Sequence, residues 1–373
     1  MLCSRKLLAR RALFSAALLA AGWEVRADDF TVRPVTFPAP FHEAAGQGST
    51  EFRLDNVVEA SGVQPIGNGR LLLVAHDKKV PLRVIETATG RQVGPVLTCD
   101  KFPAETPKSS KWEGMAQDSA GNFYLVGSHS GKTDDERSQH AKLIRFRLKP
   151  APGANGSDAG VAIDENSVTC WRIAGPLVRT LQQDGISAQG VSQRKIEGLA
   201  LREHGGPDGR VRRELVFGLR QPDDLVRTFA ADITGDPAPD AELPLHHLFS
   251  FDAGEREGVR CQLTCLEYLP AWKGFLAVTA TEDEHNVFHG NTLWFVPDTR
   301  ISASREAPVQ ADRVWTFEVA MKAEGLCVLP QPAGQQTTPR TIHLLVTFDN
   351  DPHSTHIPSR YQLVNLSRTT ANP

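Results

Sequence analysis

Short apolar runs recur along the chain and are separated by polar, turn-rich stretches. Five runs are rich in Leu, Val and Phe and are bounded by turn residues: Leu71–Ala75, Phe123–Gly127, Leu215–Leu219, Phe275–Ala280 and Ile342–Phe348. Runs of this length and composition predict buried β-strands. The Gly67-Asn68-Gly69 and Gly121-Asn122 turns supply the positive-φ residues that tight hairpins require.

A second pattern, with a period of two, follows the apolar runs. Apolar and basic residues alternate in Lys142–Leu148, which predicts a strand with one face packed inward and one face in water. Other third strands are predicted over Leu82–Glu86, Val226–Ile233, Thr292–Val296 and Tyr361–Leu366, and fourth strands over Val93–Thr98, Val168–Ile173, Leu245–Phe251 and Val314–Val319. Helical periodicity is nearly absent, and Pro176–Asp184 is the one short helix that the pattern predicts.

A Glu-Gly-hydrophobic phrase precedes the apolar runs. It occurs as Glu113-Gly114-Met115-Ala116, Glu197-Gly198-Leu199-Ala200 and Glu324-Gly325-Leu326-Cys327, more loosely as Glu59-Ala60-Ser61-Gly62, and in degraded form as Leu266-Glu267-Tyr268-Leu269. Recurrence at intervals of roughly 40–50 residues or more is typical of propellers and other arrays. The chain is therefore predicted to be an all-β protein, a β-propeller of five four-stranded blades. Six blades remain an alternative, because the third unit is poorly delimited.

The last unit lacks a fourth strand, and the segment Thr31–Phe37 can supply it. Pairing of this N-terminal strand with the C-terminal blade would close the ring and remove exposed strand edges. Pro34 lacks an amide donor, so the strand should lie at the outer edge of the blade. Residues 28–373 are thus expected to form a single propeller domain.

The first 27 residues have the pattern of an export signal: a basic start, an apolar stretch over Ala12–Gly22 and a small-residue cleavage site at Val25-Arg26-Ala27. Arg10-Arg11 also fits a twin-arginine signal. We therefore expect a periplasmic or secreted protein, with no membrane association once the signal is removed. The chain carries 41 basic and 44 acidic residues and no basic block, so a nucleic-acid partner is not expected. A small molecule or a protein is the expected partner, and the oligomeric state stays open.

Five cysteines follow the predicted signal: Cys99, Cys170, Cys261, Cys265 and Cys327. An oxidising compartment permits disulfides, but an odd number leaves at least one thiol free. None has the spacing of a zinc site. Most are expected to be small buried hydrophobic residues, and a bridge between Cys99 and Cys170 across adjacent sheets is left open.

If each glutamate phrase opens the innermost strand of a blade, its carboxylate faces the central channel. Glu59, Glu113, Glu197, Glu267 and Glu324 would then surround one axis. Carboxylates this close must bind a cation, find hydrogen-bond donors or take up protons. Calcium suits an oxygen-rich ring, with Glu59, Glu113, Glu197, Glu324 and Asp349 as the predicted ligands. The alternative is that each glutamate accepts backbone N–H groups of the next blade and so holds the blades together.

The ends of the second strands carry a varied set of polar residues: His76-Asp77, Ser128-His129-Ser130, Arg220, Thr281-Glu282-Asp283 and Asp349-Asn350-Asp351. His129 and His76 are the candidate catalytic residues, since histidine relays protons near neutral pH. Lys132, Arg137, Arg220 and Glu282 are candidate ligand-binding residues, and the cations could clamp a phosphate or carboxylate. The alternative is that strand ends are polar because they meet water.

Several phrases together resemble a bacterial β-propeller family known only as a domain of unknown function. They are Glu113–Ala116, Asn122–Ser130 with its Gly-Ser-His-Ser, Lys142–Phe146 and Ile196–Ala200. The resemblance covers most of the predicted mature chain and brings no established reaction. More distantly, the pattern is similar to esterase-like and phytase-like propellers and to calcium-dependent lactonases, which implies metal and phosphoester chemistry by analogy.

Two functions are consistent with this sequence. The first is an exported propeller that binds a small ligand or a protein at one face, because the chain has no nucleophile elbow, zinc helix or phosphate loop. The second is a metal-dependent hydrolase of phosphoesters or lactones. In it, calcium would activate a water molecule and His129 would be the general base.

Overall fold

The computed structural model describes residues 30–34, 51–77, 82–102, 111–151, 160–206, 209–221, 224–285, 287–303, 307–317, 321–330, 341–349 and 358–368. The predicted export signal lies outside these residues. The strands in chain order are β1 (Phe30–Pro34), β2 (Glu51–Arg53), β3 (Ala60–Ile66), β4 (Leu71–His76), β5 (Leu82–Glu86), β6 (Trp112–Gln117), β7 (Phe123–Gly127), β8 (Leu143–Pro150), β9 (Val161–Trp171), β10 (Lys195–Gly205), β11 (Val211–Gln221), β12 (Val226–Asp232), β13 (His246–Phe251), β14 (Glu255–Arg256), β15 (Val259–Leu269), β16 (Gly274–Glu282), β17 (Phe288–Pro297), β18 (Asp312–Phe317), β19 (Lys322–Leu329), β20 (Thr341–Asp349) and β21 (Arg360–Arg368).

These strands form five small antiparallel sheets, which are the blades of a β-propeller. Blade 1 is β3–β5, blade 2 is β6–β9, blade 3 is β10–β13, blade 4 is β15–β18 with β14 added, and blade 5 is β19–β20–β21–β1 with β2 also paired to β21. The innermost strands β3, β6, β10, β15 and β19 contact one another in that order, and β19 contacts β3. The ring is therefore closed, and the predicted five-bladed fold is confirmed.

The two ends of the described chain meet in blade 5. β1 pairs with β21 in antiparallel register, from Phe30 opposite Arg368 to Pro34 opposite Val364. The predicted closing strand thus exists, although residues 35–37 of its predicted span lie outside the described residues. Pro34 ends the outermost strand, where a missing amide breaks no ladder within the sheet.

Between neighbouring blades, facing strands bury their apolar side chains in separate clusters. One cluster packs Tyr124, Trp171, Phe217 and Phe229 between blades 2 and 3. Another packs Phe295, Phe317 and Phe348 between blades 4 and 5. Such burial, at roughly 25 cal/mol per Å² of apolar surface, is the main term that holds blades side by side.

The outer edge of blade 1 differs from the sequence pattern. The predicted fourth strand of blade 1, Val93–Thr98, forms only isolated bridges to β5 within the described chain, at Gln92 and Leu97. Gly94, with φ of 71°, and the following Pro95 interrupt the ladder.

The helices are α1 (Asp134–His140), α2 (Ala174–Gln183), α3 (Ala188–Ser192) and α4 (Asp298–Ala303). Only α2 was expected, as Pro176–Asp184. No helix in the described part of the chain has the length and apolar character to cross a bilayer.

Candidate functional site

Each innermost strand carries a β-bulge at the same place. Each innermost strand pairs with the second strand of its blade, and in each case one residue of the innermost strand has no partner in the register. These residues are Ser61, Glu113, Glu197, Thr264 and Glu324. A bulge leaves its extra residue unpaired and re-aims the side chain. These five positions, called the bulge tier here, are equivalent around the ring.

This register shows that the five glutamates predicted to surround one axis do not occupy equivalent positions. Glu59 precedes the bulge residue of blade 1 by two positions, and Glu267 follows that of blade 4 by three. The hydroxyls of Ser61 and Thr264 take the places predicted for carboxylates, and each bonds to a nearby backbone oxygen. The carboxylate ring therefore has three members, Glu113, Glu197 and Glu324.

The glycine after the bulge lets adjacent blades approach closely. A Cβ atom on Gly114 would lie 2.7 Å from the backbone nitrogen of Leu199 in blade 3. A Cβ atom on Gly198 would lie 2.8 Å from Cβ of Leu266 in blade 4. Steric contact between blades thus accounts for the glycine of the Glu-Gly phrase.

A lysine lies two positions before each bulge glutamate, as Lys111, Lys195 and Lys322. Residues two apart share a face of a strand, so lysine and glutamate point to the same side. The sequence signal was a threefold Lys-x-Glu-Gly phrase, which the sequence analysis missed. These lysines therefore belong to the candidate site together with the glutamates.

Lys195 and Lys322 make ion pairs with the bulge glutamates, within and between blades, whereas Lys111 Nζ lies 2.6 Å from Asp77 Oδ2. Lys195 Nζ lies 2.6 Å from Glu197 Oε1 and 3.4 Å from Glu113 Oε1 in blade 2. Lys322 Nζ lies 2.7 Å from Glu324 Oε1. Each ammonium group compensates a carboxylate that has lost most of its water.

Arg220, at the end of β11, extends this network across the mouth. Its Nη2 donates to Glu282 Oε2 at 2.8 Å, and its Nε donates to Gln262 Oε1 at 2.9 Å. Its Nη1 lies 3.4 Å from Glu197 Oε1. Arg220 and Glu282 were both predicted as ligand-binding residues, and the structure brings them together at the ring axis.

A cavity of about 330 Å³ opens at this mouth. Its walls carry seven acidic side chains, four basic side chains and Gln262. The acidic residues are Asp77, Glu113, Glu282, Asp283, Glu284, Glu324 and Asp349, and the basic residues are Lys111, Lys195, Arg220 and Lys322. The cavity is therefore polar throughout, with acidic groups in excess.

The bulge glutamates differ in protonation because their surroundings differ. Burial raises the pKa of Glu113 well above its usual range, and Lys195 only partly opposes this shift. Burial would also raise the pKa of Glu197, but Lys195, Arg220 and Lys322 together lower it. Burial thus favours the protonated form of Glu113, whereas the surrounding cations favour the anionic form of Glu197. Burial also raises the pKa of Glu324.

Glu113 has an acceptor that makes no regular hydrogen bond. Its side chain is almost fully buried, with 1% of the residue surface exposed. Its Oε1 lies 3.4 Å from Lys195 Nζ but accepts no regular hydrogen bond from the described residues. Buried polar atoms in native proteins nearly always have a partner, so this oxygen marks a position where a water or a ligand donor belongs.

One tier deeper, a side-chain bond crosses the ring axis. Gln64 Nε2 of blade 1 donates to Glu267 Oε2 of blade 4 at 3.1 Å and to the carbonyl oxygen of Met115 at 3.2 Å. Blades 1 and 4 are not neighbours in the ring, so this contact spans the channel. Gln64 and Glu267 do not line the mouth cavity, and their bond joins opposite blades deeper in the channel.

The candidate histidines lie away from the cavity walls. His129 is fully buried, and its two ring nitrogens make no regular hydrogen bond to the described residues. Burial lowers its pKa to about 3. His76 is also buried, and its Nε2 accepts from the amide of Val58 at 3.2 Å. Neither is among the residues that line the cavity.

The other two predicted cations lie at helix α1. Arg137 donates to Asp134 at 2.6 Å and to the carbonyl oxygen of Gly131 at 2.8 Å, within its own helix turn. Lys132 is exposed, and its amide donates to Glu136 at 2.7 Å. Neither residue lines the cavity. The structure therefore does not assemble the predicted clamp of Lys132, Arg137 and Arg220.

At the mouth, two backbone amides bond to backbone carbonyls of the preceding blade, and not to glutamate carboxylates. The amide of Lys111 donates to the carbonyl of Asp77 in blade 1, at 3.0 Å. The amide of Ile196 donates to the carbonyl of Ser128 in blade 2, at 2.8 Å. Among the described residues, the Glu113 and Glu197 carboxylates pair with lysine and arginine side chains instead of amides.

The three bulge carboxylates are also close enough to share an ion. Glu113, Glu197 and Glu324 each offer an oxygen, and these oxygens lie within 4.8 Å of one another. Calcium–oxygen distances of about 2.3–2.6 Å would permit such a spacing around one ion. Glu59 and Asp349, the other predicted ligands, are not part of this group among the described residues, although Asp349 lines the cavity.

The chain has distant similarity to several solved structures. No family model and no curated protein matches the chain. An exo-β-1,3-galactanase from Phanerochaete chrysosporium is 6% identical, with TM-score 0.43, and the match covers 90% of this chain and 64% of that one. B. megaterium levansucrase is 11% identical, with TM-score 0.46 and 92% coverage of both chains. The Dos1 propeller is 8% identical, with TM-score 0.33, covering 79% of this chain and 70% of that one. Such values concern architecture and assign no activity.

Proposed function

We propose that the mouth cavity binds a small polar molecule that is neutral or positively charged and carries hydroxyl or amino donors. The observation that supports this most directly is the buried Oε1 of Glu113 at the cavity wall, which has a 3.4 Å ion pair to Lys195 but no regular hydrogen bond among the described residues. A ligand donor would satisfy this oxygen, and leaving such an atom unpaired costs about 1–3 kcal/mol.

The charges of the cavity select against anions. Acidic side chains outnumber basic ones in its walls. The guanidinium of Arg220 and the ammonium of Lys322 are already paired with Glu282. A phosphate or carboxylate ligand would therefore have to displace an existing partner and would meet net repulsion.

The cavity walls also select against apolar ligands. Ligand sites usually combine a mostly apolar lining with a few polar groups, whereas every residue that lines this cavity is charged or an amide. Binding here depends on hydrogen bonds, so the ligand needs several donors and acceptors of its own. A sugar-like or amine-bearing molecule meets that requirement within about 330 Å³.

Replacing Glu113 tests this site. In calorimetric titrations with neutral monosaccharides, amino acids, diamines and inorganic phosphate, we expect a neutral or amine probe to bind and phosphate not to bind. Glu113→Ala should weaken that binding about tenfold to a hundredfold, because the ligand donor loses its acceptor. Glu113→Gln should stay within a few-fold of the parent protein, since the amide resembles the protonated carboxyl.

The exposed Glu165 provides the matched control, and Glu165→Ala should leave affinity unchanged. Phosphate as the tightest probe, an unaffected Glu113→Ala variant, or the absence of binding by every probe would each contradict the proposal.

A metal-dependent hydrolase of phosphoesters or lactones is a second candidate, supported by the three carboxylates within 4.8 Å. These residues would hold the ion, which when bound would polarise an oxygen and activate water. The ammonium groups of Lys195 and Lys322, at 2.6 and 2.7 Å from Glu197 and Glu324, would first have to leave. This competition is why we rank the metal second.

We expect the dialysed protein to contain no stoichiometric divalent ion, and its melting temperature to be unchanged by calcium or by a chelator. Elemental analysis and thermal unfolding measure the two quantities. Two results together would establish the second candidate instead. The first is bound calcium that is lost in Glu324→Gln and retained in Glu165→Gln. The second is cleavage of a chromogenic phosphoester or lactone that a chelator abolishes.

A further inference from the structure

Two partly exposed cysteines lie on either side of the boundary between blades 1 and 2. Cys99 follows the irregular segment at the outer edge of blade 1, and Cys170 lies in β9, the outermost strand of blade 2. Both pack against the same apolar cluster, which includes Phe146 and Ile163. The fold thus brings together two thiols that are far apart in sequence.

The turn that contains Cys99 is fixed onto blade 2 by several contacts. The amide of Phe102 donates to the carbonyl of Cys99 at 3.0 Å, and the Phe102 ring lies 5.5 Å from that of Phe146. Lys101 Nζ donates to the carbonyl of Glu165 in β9 at 2.8 Å. Cys170 Sγ lies 4.0 Å from the carbonyl oxygen of Lys101, two residues from Cys99.

We propose that Cys99 and Cys170 are a disulfide-forming pair that joins the edge of blade 1 to the outermost strand of blade 2. The other cysteines of the described chain do not fit this role. Cys265 and Cys327 are buried, and Cys261 Sγ is engaged with Thr281 Oγ1 at 3.2 Å. This inference is independent of the function proposed for the mouth cavity.

The reaction needs a disulfide oxidant, for which oxidised glutathione is the probe. The Cys99 thiolate attacks one glutathione sulfur, forms a mixed disulfide and releases a glutathione thiolate. The Cys170 thiolate then attacks the Cys99 sulfur and releases the second glutathione thiolate. Each cysteine loses one proton, and the two electrons reduce the oxidant to two glutathione molecules.

The bridge would act where the blade 1 sheet is weakest. Blade 1 has three regular strands, and its outer edge is covered only by isolated bridges at Gln92 and Leu97 in the described chain. A cross-link that closes so long a stretch of sequence restricts the unfolded chain. Oxidation should therefore raise the melting temperature by on the order of 5 °C.

The test treats the full-length protein with oxidised glutathione and maps its peptides by mass spectrometry without reduction. We expect a Cys99–Cys170 linked peptide, the loss of two titratable thiols and the rise in melting temperature. Cys99→Ser and Cys170→Ser should each abolish all three, whereas the matched Cys261→Ser should retain them. Persistent glutathione adducts without a linked peptide, linkage through Cys261, or unreacted thiols would overturn the proposal.

Discussion

Replacing Lys195 by methionine is expected to destabilise the protein by about 3–5 kcal/mol, because it leaves two buried carboxyl groups without their shared cation. Lys195 Nζ lies 2.6 Å from Glu197 and 3.4 Å from Glu113, in two different blades. Burial would lower the pKa of Lys195, but these carboxylates outweigh burial and raise it. Urea or thermal unfolding of the variant measures the loss.

Two further variants distinguish an electrostatic loss from a packing loss. Lys132→Met removes an exposed lysine and should change stability by less than about 0.5 kcal/mol. Adding Glu113→Gln and Glu197→Gln to Lys195→Met removes the stranded charges, so the triple variant should recover much of the stability. A Lys195→Met protein as stable as its parent would show that the ammonium group does not hold blades 2 and 3 together.

The propeller could be predicted because each strand is recognisable from its own local sequence. The runs at Phe123–Gly127 and Phe275–Ala280 are buried on both faces, so their apolar composition alone identifies them. Ring closure by β1 followed from counting strands and from the position of Pro34. In contrast, the break in the ladder at Gly94-Pro95 needed the detailed register of blade 1, which composition does not supply.

Only part of the site could be predicted, because the pairing register of each innermost strand determines which residue occupies the bulge. Glu113, Glu197 and Glu324 were found because a glycine follows each of them, and close blade contacts require that glycine. Glu59 and Glu267 look like members of the same set, but their strands place Ser61 and Thr264 at the bulge. A one-residue bulge decides which side chain faces the axis, and it is fixed by pairing with the next strand.

The candidate histidines illustrate a different limit. The Gly-Ser-His-Ser phrase that drew attention to His129 is unusual, but unusual sequence also arises from backbone constraints. His129 has a positive φ of 55° and its amide donates to the carbonyl of His140, which fixes the chain next to helix α1. Whether a polar residue reaches the cavity depends on such tertiary contacts, and spacing along the chain does not reveal them.

Replacing Glu267 by glutamine should remove a pH-dependent weakness in the channel below the bulge tier. Burial raises the pKa of Glu267 to about 8, against about 4.5 for the unperturbed group, and the Gln64 amide only partly opposes the shift. Between these values the folded protein holds a proton that the unfolded chain has lost. Stability therefore falls as pH rises from about 5 to 8, by up to about 1.4 kcal/mol per pH unit for this group.

Glutamine keeps an acceptor for Gln64 and cannot ionise. Glu267→Gln should thus match the parent protein near pH 5 and exceed it by about 3–4 kcal/mol near pH 8. Urea unfolding across this pH range measures the difference, and because the shifted Glu113 and Glu324 remain in both proteins, the difference isolates Glu267. Glu165→Gln, at an exposed position, should run parallel to the parent at every pH. Parallel curves for Glu267→Gln as well would mean that the Glu267 carboxyl is ionised in the folded protein.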